Sequence, residues 1–95
     1  MFLRVCWIPN SCGGHNGPPW VGMRCEIRWS KFMEESLKMS RDISCVELTP
    51  TEEDSVWIAR IELLSVEMLN TDRCDPGNNI ELVNGARVLA VGKII

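Results

Sequence analysis

Nothing in this chain approaches the ~20 consecutive apolar residues of a membrane-spanning helix. The apolar stretch at residues 1–8 is too short for a secretory leader and runs into Pro9 without a small-residue cleavage site. A glycine-rich phosphate loop ending in Lys-Ser or Lys-Thr is missing, which argues against nucleoside-triphosphate chemistry. Basic residues are few: 10 Lys and Arg against 13 Asp and Glu give a net charge of −3. A dedicated nucleic-acid binder needs clustered cations to neutralise phosphates, so this balance fits a soluble protein, or one that meets a basic partner. The five cysteines are an odd number without paired spacing, so neither a disulfide framework nor a zinc motif is indicated. All five are expected to be free thiols in a reduced, cytoplasmic protein without membrane attachment.

What is present reads as one small domain over residues 1–95. At 45% hydrophobic and 24% charged residues, the composition is that of an ordinary globular protein. Leu3, Val5 and Trp7 alternate with Arg4 and Cys6, the mark of a half-buried strand. Residues 11–19 then hold three of the seven glycines and two of the five prolines, which makes them a surface loop. The cleanest strand follows, with Met23, Cys25, Ile27 and Trp29 on one face and Arg24, Glu26 and Arg28 on the other. Residues 30–41 read as a loop or a single helical turn. A strand candidate at 43–48 stops at Thr49-Pro50, and residues 51–54 make a solvated acidic turn. Trp57, Ala59, Ile61 and Leu63 then alternate with Arg60 and Glu62, and residues 65–76 form a connection with room for a helical turn at 66–69.

Asn84-Gly85 is the sharpest local signal, because a tight hairpin turn demands positive φ. It predicts a hairpin with arms at 80–83 and 86–94. A two-residue turn would set Ile80 opposite Leu89 and Glu81 opposite Val88. A three-residue loop with a bulge at Gly85 would set Ile80 opposite Val88 and Glu81 opposite Arg87. The second register pairs unlike charges and keeps Ile80, Leu82, Val88 and Ala90 on one face, so it is preferred. Six strands are thus predicted, at roughly 2–8, 22–29, 43–48, 56–64, 79–83 and 86–94. That spacing, with almost no helix, predicts an all-β antiparallel sandwich or closed barrel. Its core is expected to include Val5, Trp7, Cys25, Ile27, Trp57, Ala59, Ile61, Ile80 and Leu82.

Two stretches carry a family resemblance. Pro76-Gly77, an apolar strand, and then the run from Asn84-Gly85-Ala86-Arg87 through Gly92-Lys93-Ile94-Ile95 resemble the close of the C-terminal β-barrel of elongation factor Tu. Gly13-Gly14-His15, a proline-containing loop and Gly22-Met23-Arg24 resemble that family's glycine-rich loop and the start of its next strand. The resemblance implies a six-stranded Greek-key barrel standing alone, without the nucleotide-binding domain. It also implies a tRNA-contacting face at Arg24, Glu26, Asn84, Gly85, Ala86 and Arg87. Several positions depart from the pattern. Ala86 replaces the second glycine, Val83 the basic residue before the turn, Glu26 a neutral amide, and His15 sits one position off the loop histidine. Each of the first three removes backbone access or positive charge from an RNA face.

No set of residues suggests catalysis, a metal centre or a cofactor. Cys12 and His15 lie three apart on a flexible loop, short of the four ligands that zinc takes. Glu34, Glu35, Glu52, Glu53 and Asp54 cluster with Thr, Ser and Lys, as solvated turns do. Trp20 is different: it follows Pro18-Pro19 at the lip of the loop, where Trp acts either as a partner contact or as a plug folded over the barrel. The expected partner-binding residues are Trp20, Arg24, Asn84, Gly85 and Arg87. The function these features predict is a non-catalytic, protein-binding barrel, monomeric or weakly dimeric. It would act as an inhibitor or immunity-type protein against a basic partner such as a toxin or nuclease acting on tRNA. The alternative is a tRNA- or ribosome-associated module that keeps the family's RNA face.

Overall fold

A computed structural model of the chain describes residues 1–14, 17–29, 41–64 and 74–95. Its strands are β1 (Phe2–Trp7), β2 (Arg24–Trp29), β3 (Arg41–Pro50), β4 (Val56–Leu63), β5 (Asn79–Asn84) and β6 (Arg87–Ile94). They close into an antiparallel barrel in the order β1-β4-β3-β2-β5-β6. A short 3-10 turn, Asn10–Cys12, follows β1. Among the described residues no helix is long and apolar enough to cross a membrane.

Period-two alternation produces this barrel directly. In β1, Leu3, Val5 and Trp7 are buried while Phe2, Arg4 and Cys6 face out. In β2 the buried set is Cys25, Ile27 and Trp29, with Met23 just ahead of the strand. These join Ile43, Cys45, Ala59, Ile61, Ile80, Leu82, Leu89, Ala90 and Ile94 in one interior cluster. Charged side chains on the outer wall pair across strands: Arg60 with Glu47 at 2.9 Å, and Arg28 with Glu81 at 3.5 Å. Closure gives every strand two neighbours, which removes the free edges that an apolar strand such as β6 would otherwise expose.

Four sequence expectations need correction. The hairpin turn is Gly85-Ala86, with Asn84 opposite Arg87, Val83 opposite Val88 and Leu82 opposite Ala90. Ile80 consequently meets Gly92 and Glu81 meets Val91, so neither anticipated register occurs. The register shift lies between Leu82 and Val83, which makes Leu89 the extra residue of a bulge in β6. Leu89 and Ala90 are both buried, whereas Val88 is only half-buried. Positive φ occurs at Gly85 (63°) and not at Ala86, which matches a type II′ turn rather than the I′ turn that Asn-Gly favours.

The other corrections concern burial and length. β3 extends beyond 43–48 to Arg41 and Pro50, and Arg41 is buried. Proline is tolerated at that terminus because the ladder ends there. β2 begins at Arg24 rather than residue 22, since Gly22 and Met23 belong to an irregular approach. Trp57 is packed against the core but only half-buried. The predicted excursion at 30–41, apart from Arg41 itself, and the helical turn at 66–69 lie outside the described residues.

All five cysteines are free: Cys25 and Cys45 buried, Cys6, Cys12 and Cys74 exposed. Thiol titration of denatured protein, with oxidation blocked at lysis, should therefore recover five thiols per chain. Three or fewer would mean a disulfide.

Candidate functional site

An antiparallel barrel sends alternate connections to opposite ends. The β1–β2, β3–β4 and β5–β6 connections therefore share one end, and these segments contain Trp20, the acidic turn and the terminal hairpin. The β1–β2 connection must also cross that end, because β1 and β2 stand on opposite sides of the barrel.

Backbone hydrogen bonds fix the stem of this crossing. Ile8 N–H donates to Leu89 C=O at 2.9 Å, Cys12 N–H to Pro9 C=O at 2.9 Å and Gly14 N–H to Pro9 C=O at 3.1 Å. At the far side, Gly22 N–H donates to Cys45 C=O at 2.7 Å and Met23 N–H to Trp20 C=O at 3.2 Å. Between these anchors Trp20 and Val21 are 55% and 63% exposed.

The β3–β4 turn is held by Thr51. Its hydroxyl donates to Val56 C=O at 2.8 Å and accepts Glu53 N–H at 3.2 Å. Glu53 pairs with Arg4 on β1, while Glu52 and Asp54 project as exposed carboxylates. Solvent-facing pairs of this kind contribute little stability. Glu52 and Asp54 put two exposed carboxylates at the end of the barrel that also carries exposed Trp20 and Val21.

A groove of about 240 Å³ runs down the outer wall from the same end, lined by Arg24, Cys25, Glu26, Asp42, Leu64, Val83 and Asn84. It follows from register, since Glu26 stands opposite both Asp42 and Val83. Val83 is buried yet stands apart from the interior cluster, so it forms an apolar floor on the outside of the barrel.

Of the residues expected from sequence, Arg24 and Asn84 line this groove together. Gly85 is the next residue in the turn, and Arg87 is exposed opposite Asn84. Trp20 shares the same end of the barrel but does not line the groove. Sequence reasoning missed Asp42 and Leu64, and named Val83 only as a departure from the family's pattern before the turn. Parity with Ile80 and Leu82 was the available signal that Val83 points outward. His15 lies outside the described residues, and Cys12 is exposed. Among the described residues, no three His, Cys, Asp or Glu side chains cluster as metal ligands. No family model, no curated protein and no solved structure matches this chain.

Proposed function

We propose that this chain is a non-catalytic protein-binding barrel that docks a basic protein partner through the end carrying Trp20. The observation that supports it is the combination, at one end, of exposed Trp20 and Val21 with the exposed carboxylates of Glu52 and Asp54. Aromatic anchors supply most of the affinity in many interfaces, and complementary charge steers the encounter. The net charge of −3 has the sign that a basic partner requires. An inhibitor or immunity-type role, against a toxin or nuclease that acts on tRNA, extends this reading by way of the resemblance to a tRNA-contacting barrel. Arg24, Asn84, Gly85 and Arg87 then form the flank of the interface.

Affinity capture from the native host, identifying bound protein and bound RNA separately, tests the class of partner. A captured basic protein is expected. RNA capture with affinity falling steeply as salt rises would overturn the proposal in favour of a tRNA- or ribosome-associated module. With the partner in hand, Trp20→Ala should weaken binding by ~2 kcal/mol or more, about thirtyfold in Kd, with the melting temperature nearly unchanged. A sharp fall in melting temperature with affinity intact would make Trp20 a structural residue instead.

A further inference from the structure

Two buried thiols meet inside the barrel near its loop-bearing end, and Met23 is buried in the same interior cluster. Cys25 and Cys45 lie on neighbouring strands, and register sets Arg24 opposite Ser44 and Cys25 opposite Ile43. Cys45 is thus the diagonal neighbour of Cys25 on the interior face. Met23 faces Cys45 across the same ladder, with Cys45 N–H donating to Met23 C=O at 3.0 Å. All three side chains are buried in the interior cluster.

The ladder is irregular on both sides of Cys45. Toward β2, Cys45 C=O accepts from Gly22 while its N–H donates to Met23, so two residues oppose one. Toward β4, the register shifts between Cys45 and Glu47, leaving Val46 as the extra residue. Bulges re-aim side chains and gather beside functional sites. Here two of them flank a single thiol, which simple core filling does not require.

From this arrangement we propose that Cys25 and Cys45, with Met23 as a third sulfur, form a binding site for a thiophilic monovalent cation, copper(I). Soft thiolate and thioether ligands select copper(I) over harder divalent ions. The diagonal spacing supports a bridging ion over a disulfide. Diagonal neighbours have Cα atoms about 7–8 Å apart, beyond the usual disulfide range of about 4.4–6.8 Å. A metal between two sulfurs, at about 2.3 Å from each as in zinc thiolates, adds the missing reach. The two thiols already interact: a hydrogen bond with Cys45 and then burial push the Cys25 thiol up, while that same bond pulls Cys45 down. Binding converts two thiols to two thiolates. Both S–H bonds break, both protons leave to solvent, two S–Cu bonds form, and no electron is transferred. Cys25 also borders the outer groove, which offers a route of entry.

The exposed thiols of Cys6, Cys12 and Cys74 would bind copper unspecifically, so the test removes them first. The triple variant Cys6→Ser, Cys12→Ser, Cys74→Ser is titrated anaerobically with copper(I) against a chromophoric copper(I) chelator. One copper per chain is expected, with near-ultraviolet thiolate-to-copper absorption, a higher melting temperature and tighter binding as pH rises. X-ray absorption on this same protein, which retains only two cysteines, should report copper bound by sulfur alone. Adding Cys45→Ala should abolish binding; if that variant fails to fold, the absorption spectrum still decides. A triple variant that leaves all copper with the chelator, or a coordination shell containing nitrogen or oxygen, overturns the proposal.

Discussion

Ile61→Asp is expected to leave almost no soluble protein. Ile61 is 2% exposed in the middle of β4, opposite Cys45 and within the interior cluster. Its backbone also ties down the start of the chain: Ile61 N–H donates to Met1 C=O at 2.8 Å, and the Met1 ammonium donates back at 3.3 Å. A carboxyl group there enters the largely apolar interior cluster. It either ionises without a partner or protonates at a cost, and each route takes several kcal/mol. Total stability of a small domain is about 5–15 kcal/mol, so one such substitution consumes much of it. Ile61→Val, removing one methylene, should cost only about 0.5–1.5 kcal/mol. Soluble yield and denaturant titration of the two variants measure the contrast. An Asp variant that folds with native stability would place this side of β4 on the outside of the barrel.

Gly92→Ala should be nearly as damaging, for a reason of geometry rather than polarity. Gly92 stands opposite Val5 in the β1–β6 ladder. A Cβ at this position would overlap the Arg4 carbonyl oxygen and lie 2.8 Å from Val5 Cα, both of them backbone atoms. No rotamer change relieves such a clash, so β1 must move away from β6 and the barrel seam must open. Overpacking a good core costs about 1–3 kcal/mol, and a backbone collision belongs at or above the top of that range. Val91→Ala, one residue away on an exposed side chain, should change stability by no more than about 0.5 kcal/mol. Equal losses for the two variants would show that the seam tolerates the extra atom.

How much of this was legible in the sequence depended on whether one face of a strand is wet. β1 and β2 alternate apolar with charged residues, so their phase and burial could be read residue by residue. β6 carries apolar side chains on both faces, so charge could not fix its register. The bulge at Leu89, which turns two adjacent residues inward, leaves no mark in a period-two pattern. Arg41 hid the start of β3 because a buried arginine contradicts the expectation that cations stay outside. For the candidate site, turn residues located the loops and antiparallel pairing gathered them at one end. The groove was not legible, because Asp42, Val83 and Leu64 meet only through strand register. The Cys25–Cys45 contact was equally hidden: it depends on which strands are neighbours, and sequence spacing does not carry that information.

The closure of the barrel has a consequence in time. Of the six strands β1 is made first, yet its two partners are β4 and β6, and Leu3 ends up beside Ile94. Until β6 is made, the sheet is open along the edges where the seam will form. Contacts so distant in sequence carry a large loop-closure cost and make for slow folding. During that interval the apolar strands present unpaired backbone to other nascent chains, as an aggregation template does. The barrel is most vulnerable before β6 is made, and its demand for chaperones should fall on that strand.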